Sequence, residues 1–461
     1  MKVRKNSFAF FGGAFGDEGK GRIVDKYVND CAKKGAVVVY RDNGGANAGH
    51  TVEFVNGRRI ALHQLPSGVF IKNTTVVLGK GMVLHPGDLL EEIGQVKEVS
   101  GGKLKAKILI DEMAVLSLDT HRAFEAVLKE WQEGGRGSTG RGISPAYADV
   151  LLRHPLRARD LVNFDEEQIA KHYRLYEALI TGLGGKLSET LVPGLGKDEK
   201  VPVGFQKDFL LHLHDQKEGI LSYITNVFAF LRDGWSNEKI AFVFEKAQAV
   251  GLDPRYGVYP DVTASDTTLG GIWSSTEGLI NPEEIEVRAG VIKATYMSSV
   301  GTRKLPTVME EGLVNRIRED ANEYGATTKR PRGIAYLDLP ALRFFSRMGL
   351  GNCLILTHMD IVYPDVPVKI CIAYEKGGKK VPYRPDQTYL NTVTPKYIEM
   401  PTWDKKAIQT AAIPKDIPKE AKNFLAFMVK EIGAPVLMIT TGPKREQGII
   451  FKNNEKPNKT F

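Results

Sequence analysis

Short runs of β-branched, aromatic and aliphatic residues recur along the chain, closed by Gly, Asp, Asn or Thr and separated by stretches with helical spacing of apolar positions. The runs Phe8–Phe11, Ala36–Tyr40, Thr75–Leu78, Lys107–Ile110, Ile240–Glu245, Val291–Tyr296, Cys353–Thr357 and Pro435–Thr440 read as strands. Gly87–Glu98 and Thr120–Gln132 read as helices, and another helical pattern starts at Gly21. This alternation predicts an α/β fold: a large central, mostly parallel β-sheet with flanking helices. Ligands of such sheets gather at the carboxyl ends of the strands. Residues 160–235 read as a helical lateral subdomain on a single domain spanning 1–461, and the segment 368–395 contains a β-hairpin turning at Gly377-Gly378. The polar tail beyond Lys452 reads as a fraying end.

The stretch from Phe11 to Lys26, FGGAFGDEGKGRIVDK, joins the first strand to the first helix through Gly12, Gly13, Gly16 and Gly19. Small residues let backbone N–H groups reach phosphate oxygens, and the helix N-terminus adds partial positive charge, to which Lys20 adds a full one. It is not a Walker A loop, because Ala14 stands at the first glycine position and Gly21 at the Ser/Thr position. Instead the loop holds two carboxylates, Asp17 and Glu18. A carboxylate beside phosphate is unfavourable unless it holds Mg²⁺ or takes a proton.

Length and composition narrow the class. With 461 residues and 42% hydrophobic content the chain can bury a sizeable core, yet no apolar run approaches a membrane span. The N-terminal apolar segment is too short for a signal peptide. Cys31, Cys353 and Cys371 lie far apart with no CxxC, which argues against a zinc site or a disulfide framework and for a cytoplasmic setting. The formal charge of +8 points to anionic ligands, and its spread along the chain favours small phosphorylated substrates over nucleic acid.

Further polar segments follow the strands. Arg41–Thr51, RDNGGANAGHT, offers Asn47 and the titratable His50; a lone histidine is more often structural, but in a second glycine-rich loop beside a phosphate loop it is a candidate general acid. Gly134–Asp149 brings Ser138, Thr139 and glycine N–H groups suited to a phosphate monoester, or forms a surface loop. Phe244–Gly271 supplies Gln248, Thr263, Ser265, Thr267 and Thr268 as neutral hydrogen-bonding groups. Gly325–Arg332, GATTKRPR, combines threonines with cations that suit a small dicarboxylate. Asp360, in Thr357-His-Met-Asp, can accept from the guanine N1 and N2 amines, and Thr440-Thr-Gly-Pro443 can wall a base. His212-x-His214 lacks a third ligand nearby and reads as structural.

Taken together, GDEGKGR, GGANAGHT, LPSGVF, GSTGRGISPAYAD, YPDVTASDTT, GATTKRPR and TTGP resemble the adenylosuccinate synthetase family, in the family's order from Gly12 to Pro443. The resemblance implies a P-loop-related α/β homodimer that condenses IMP with L-aspartate, driven by GTP and Mg²⁺, through a 6-phosphoryl-IMP intermediate. That reaction opens AMP synthesis from IMP, with no role for nucleic acid or membrane. It implies Asp17 as the base at N1 and a metal ligand with the Gly49 carbonyl, His50 as a group that stabilises or protonates the phosphoryl groups as GDP leaves, and Lys20 and Gln248 as stabilisers of transferring charge. IMP contacts map onto Asp17, Asn47, Thr139, Gln248, Thr263, Val300 and Arg330, with Arg153 donated across the dimer interface. Aspartate contacts map onto Thr328, Arg330 and Arg332. GTP contacts map onto Gly16, Glu18, Gly19, Lys20, Gly21, Arg22, Gly49, Thr51, Arg332, His358, Asp360, Thr440 and Gly442.

The chain departs from the family pattern at several of these places. Ala46 stands for a His, Lys246 and Ala249 interrupt EGAQG, and Ser299 precedes Val300-Gly301 where the family has Arg. Lys329, Pro331 and Gly333 alter the aspartate loop, and His358 stands for a Lys. These departures keep a second reading open, a relative that aminates another 6-oxopurine nucleotide such as dGMP; the presence of Asp17 favours IMP.

Overall fold

The computed structural model describes residues 2–53, 59–132, 138–194, 199–325 and 330–451. Ten strands form the main sheet: β1 (Arg4–Gly12), β2 (Val37–Arg41), β3 (Thr74–Leu78), β4 (Lys107–Asp111), β5 (Ile224–Thr225), β6 (Ala241–Glu245), β7 (Ile285–Lys293), β8 (Cys353–Thr357), β9 (Val436–Thr440) and β10 (Gly448–Ile450). Their spatial order is β5-β4-β3-β2-β6-β1-β7-β8-β9-β10. Every neighbouring pair is parallel except β9 with β10. An α/β fold with a large, mostly parallel sheet is what the alternation of runs predicts.

The strands are apolar because both faces of the sheet are covered. In β1, Ala9 and Phe11 enter one core cluster and Phe10 the other, following the alternation of side chains across a pleated strand. β1 also fixes where the site lies. From β1 the chain runs out to β2, β3, β4 and β5, returns to β6 beside β1, then crosses to β7, β8 and β9 on the other side. The connections reverse direction around β1, so a crevice opens at its carboxyl end.

The helices that matter here are α1 (Lys20–Ala32), α2 (Asp119–Trp131), α3 (Ile143–Leu152), α4 (Glu166–Gly182) and α5 (Glu311–Ala321). α1 starts at Gly19, whose φ of 87° is left-handed and suits glycine. Among the described residues of 158–236 the chain forms four α-helices, Ala158–Val162, α4, Gln206–Glu218 and Phe228–Ser236. The run is interrupted by an antiparallel pair, Leu191–Pro193 with Lys200–Pro202, and by β5 on the sheet edge. The expected hairpin pairs Val368–Lys376 with Lys379–Val381, and its two-residue turn has positive φ at both Gly377 (58°) and Gly378 (74°).

The strand expected over Val291–Tyr296 starts earlier, at Ile285, and ends at Lys293. The chain then leaves the sheet, and Met297–Ser299 forms an antiparallel ribbon with Gly333–Ala335. Among the described residues no helix is long and apolar enough to cross a membrane.

Candidate active site

The loops after β1, β2, β6, β7, β8 and β9 all leave the same edge of the sheet, and nearly all the candidate residues lie on them. In the first loop Glu18 is 1% exposed and turned inward. Its carboxylate accepts from the N–H of Gly16 (2.7 Å) and of Ala14 (3.3 Å) and pairs with Lys20 Nζ (2.7 Å). The resemblance implies a nucleotide contact at Glu18; its side chain shapes the loop and holds the Lys20 ammonium. Asp17, with φ 59°, points outward and pairs with Arg332, whose Nε lies 2.6 Å from Oδ2.

His50 opens the strand His50–Glu53, which pairs with Arg59–Leu62; Thr51 lies within it, opposite Ala61. Nε2 of His50 stands 3.7 Å from Glu245 Oε1 at the end of β6 and has no hydrogen-bond partner among the described residues. Burial, with the nearby charges of Arg41, His63 and Lys20, drives the imidazole pKa well below the ordinary histidine value, against a hydrogen bond to the Ala48 backbone. His50 is therefore neutral before ligands arrive. Glu245 is anchored by Ser67, from N–H (2.9 Å) and Oγ (2.8 Å), and burial raises its pKa.

Gln248, with φ 57°, receives hydrogen bonds on Oε1 from Ser265 Oγ (3.2 Å) and Asn43 Nδ2 (3.4 Å). Its carbonyl oxygen is thus held, and its NH₂ group faces Asn47 Oδ1 at 3.4 Å. Asn43 also receives the N–H of Ala247 (2.9 Å). Lys246 is fully buried with its Nζ against Asp42 Oδ2, so the unexpected lysine comes with a carboxylate partner. The main chain of Thr263 is fixed by N–H to Leu252 O (2.7 Å), while its hydroxyl, buried, has no partner among the described residues.

After β7, a bridge between Phe15 and Ser299 and the Val300 N–H to Phe15 O (3.4 Å) seat Val300 against the phosphate loop. A downstream arginine packs against position 299. Arg303 donates to Ser299 Oγ (3.0 Å) and to the Asp261 carbonyl, and lies 4.8 Å over the Phe15 ring. The described ends of the segment expected to hold aspartate pair with each other and with the chain before it: Gly325 N–H bonds Arg330 O (2.9 Å) and Arg332 N–H bonds Glu323 O (2.9 Å). Arg330 is exposed, and Thr328 lies outside the described residues.

At β8 and β9, His358 (φ 57°) donates its backbone N–H to Thr440 Oγ1 at 3.1 Å, and its ring stacks on Tyr296. Asp360 is buried and receives Gln409 Nε2 at 3.3 Å. Arg22 donates to the carbonyls of Gly442, Lys444 and Gln447. Its guanidinium braces the loop after β9.

Thr139 is exposed beside Ser138, whose hydroxyl bonds Glu125. Arg153 sits at the C-terminus of α3 with φ 68°, exposed and followed by none of the loops above. Of nine non-glycine residues with positive φ among those described, four are Asp17, Arg153, Gln248 and His358, all candidate site residues. Strained backbone of this kind persists where the surroundings over-determine it.

Sequence reading missed the supporting partners Ser67, Asn43 and Glu323. Only Ser67 and Asn43 lie in motifs singled out beforehand. His121, Asp149 and His172, between α2, α3 and α4, come close enough to suggest a metal site. However, His121 Nδ1 accepts the Leu118 N–H (2.8 Å), so Nε2 carries the proton it gives to Asp149 Oδ2 (2.9 Å) and cannot ligate.

A phosphate-binding loop at a helix start, beside a second glycine-rich loop with a largely buried histidine at the switch point of a parallel sheet, defines a nucleotide-using α/β enzyme. The profile of the adenylosuccinate synthetase family matches residues 9–449, and the chain belongs to that family. The adenylosuccinate synthetase of Thermus thermophilus is 35% identical over 439 residues, covering 95% of this chain and 97% of that one. The Lactobacillus helveticus enzyme is 32% identical over 454 residues, covering 96% and 98%. The structure of the fully ligated adenylosuccinate synthetase from Plasmodium falciparum superposes with TM-score 0.84 at 28% identity, covering 97% of this chain and all of that one. The cyanophage S-2L succinoaminodeoxyadenylate synthetase, bound to dGMP and dATP, shares the fold with TM-score 0.54 at 16% identity over 98% and 97% of the two chains.

Proposed function

We propose that the carboxyl edge of the sheet carries the GTP-dependent ligation of IMP with L-aspartate to adenylosuccinate, the activity that family membership gives the chain. A purine 6-oxo group is a poor leaving group, so it is first phosphorylated. Asp17 takes the N1 proton, O6 attacks the γ-phosphorus, and GDP leaves. The aspartate amine then displaces phosphate at C6. The NH₂ of Gln248, aimed outward by the anchoring of its carbonyl oxygen, donates to O6, and Lys20 balances charge on the phosphoryl oxygens.

His50 binds the same phosphoryl group. Its partnerless Nε2 is neutral in the free protein, and bound phosphates raise its proton affinity so that it acts as the acid. Asp17 begins paired with Arg332. A ligand carboxylate that draws Arg332 toward the aspartate position frees Asp17 for its proton. The Asp17 carboxylate and the Gly49 carbonyl would hold Mg²⁺, an all-oxygen donor set of the kind that ion takes. That ion would offset negative charge on the phosphates of the nucleotide.

Asn47, Thr139, Thr263, Val300 and Arg330 hold IMP in this reading, with Thr328, Arg330 and Arg332 on aspartate and Asp360, Thr440 and Gly442 on guanine. Arg153 reaches the IMP phosphate of a second copy in a homodimer. None of the three cysteines forms a disulfide among the described residues, which accords with a cytoplasmic setting. The observation carrying the reading is the convergence of Asp17, His50 and Gln248 on one sheet edge. Purified protein with Mg²⁺, IMP, GTP and L-aspartate should form adenylosuccinate and GDP in equal amounts, and Asp17→Asn should lower the rate by about 10²-fold or more. Undiminished turnover in that variant would remove Asp17 from its role; a guanine nucleotide accepted in place of IMP would overturn the substrate.

A further inference from the structure

Behind the site, between the carboxyl end of β7 and the stem of the 323–332 hairpin, lies a buried polar cluster of which only His358 figures in the assignments above. Lys293, the last residue of β7, is 3% exposed and donates to Ser298 Oγ (2.6 Å) and to Glu323 Oε1. Tyr296 is fully buried, and its hydroxyl donates to the same Glu323 oxygen at 2.6 Å. The hydroxyl's only proton is thereby used, so at the 3.0 Å contact with His358 Nδ1 the tyrosine oxygen accepts and the imidazole donates. The His358 ring is stacked on that of Tyr296, 9° from parallel, and burial together with Lys293 and Arg22 holds its pKa down to about 3. A neutral ring with its proton on Nδ1 is the form this chain of donors requires.

Each end of the cluster is fixed to a different ligand element. Glu323 receives the Arg332 N–H on its backbone carbonyl at 2.9 Å, which closes the hairpin stem. His358 is two residues from Asp360, and its N–H is held by Thr440. Ser298 lies two residues before Val300, in the ribbon with Gly333–Ala335. A carboxylate this deeply buried costs several kcal/mol unless paired, so the cluster has few arrangements open to it. A shift of the β8 loop is felt at the Tyr296 hydroxyl, and from there at the stem.

We infer that Lys293, Tyr296 and Glu323 are positioning residues that couple the guanine-binding loop at His358–Asp360 to the aspartate hairpin, so that nucleotide in one favours L-aspartate in the other. This rests on the assignment of those two segments proposed above. Tyr296→Phe is the discriminating variant, because it keeps the stacked ring and the Lys293–Glu323 pair and removes only the hydroxyl that joins His358 to Glu323.

The experiment is a calorimetric titration of L-aspartate into protein saturated with IMP, with and without GDP, so that no turnover occurs. In the wild type GDP should tighten L-aspartate binding by about fivefold or more. In Tyr296→Phe the GDP effect should fall to less than about twofold, with IMP affinity unchanged and a single cooperative unfolding transition retained. Glu323→Gln, which weakens both contacts at the hub, should lose the coupling as well. Retention of the full GDP effect in Tyr296→Phe, or its absence from the wild type, would overturn the inference. So would a loss of IMP affinity in Tyr296→Phe equal to its loss of coupling, which marks general loosening. A wild type that forms no adenylosuccinate from IMP, GTP and L-aspartate would instead sink the functional reading, a separate outcome.

Discussion

At the scale of single residues, the side chains that do chemistry are set by neighbours far away in sequence. Gln248 offers its NH₂ outward because Asn43 and Ser265 hold its oxygen. Asn43→Ala removes one of these donors and lets the amide turn over. We expect kcat to fall about tenfold with the KM for IMP changed less than about threefold, since in the proposed mechanism the amide acts mainly on charge that develops at O6; steady-state kinetics at saturating GTP checks this. The Lys246–Asp42 pair makes a different prediction. Lys246→Met leaves a buried carboxylate unpaired and should cost about 3–5 kcal/mol in urea unfolding, whereas Lys246→Met with Asp42→Asn should recover most of it. From sequence Lys246 is only an interruption of a family motif, because its partner stands 204 residues upstream. The phosphate-loop glycines, Asp17 and His50 were legible because local spacing alone marks them. The inward turn of Glu18 was not, since either acidic residue of the pair has the chemistry to face a metal.

At the scale of elements, legibility followed burial. Cys353–Thr357 reads from sequence with the bounds it has in the fold, and β2, β3 and β4 differ by a residue at one end or both, because strands covered on both faces are apolar throughout. β5 and β10, two and three residues long at the sheet edges, left no comparable run. The first half of β7, IEVR, carries charges on half-buried positions and hid the true start of that strand. The loop after β9 shows what an element needs beyond its own sequence. Arg22, on α1, holds three of its carbonyls, and Arg445 from the same loop pairs with Asp25 on α1 at 2.6 Å. Arg22→Ala should free this loop to sample arrangements that do not receive the base. The expected result is a rise of about 5- to 20-fold in the KM for GTP with kcat within about threefold, because preorganisation lost before binding lowers affinity more than it slows the chemical step.

At the scale of the whole molecule, folding stability carries the mark of the buried histidines. His358 falls from its ordinary value near 6.5 to about 3 in the fold, so the unfolded chain binds the extra proton between those limits. Its contribution to stability is complete above pH 6.5 and is lost progressively as pH falls through that value. Glu92, pushed up to about 7 by burial, works in the opposite sense, so the total slope is a difference. Comparison with His358→Gln isolates the histidine: the advantage of wild type over the variant, measured by urea unfolding, should shrink steadily from pH 7.5 to pH 5. The second whole-molecule question is why Arg153 stands exposed on the far end of α3. Leu151 and Leu152, immediately before it, are 83% and 66% exposed, and adjacent large apolar side chains left open to water favour a surface that is covered in an assembly. If a second copy covers them, Arg153 of each subunit completes the site of the other. Asp17→Ala subunits then lack a base but can lend their arginine, and Arg153→Leu subunits lack the arginine but keep the base. Each variant alone should be nearly inactive. Mixed and allowed to exchange subunits, they should recover up to about a quarter of wild-type activity, because half of the dimers at random assortment are mixed and each has one intact site. Two folded, exchanging variants that stay inactive together would show that the site draws on one chain alone.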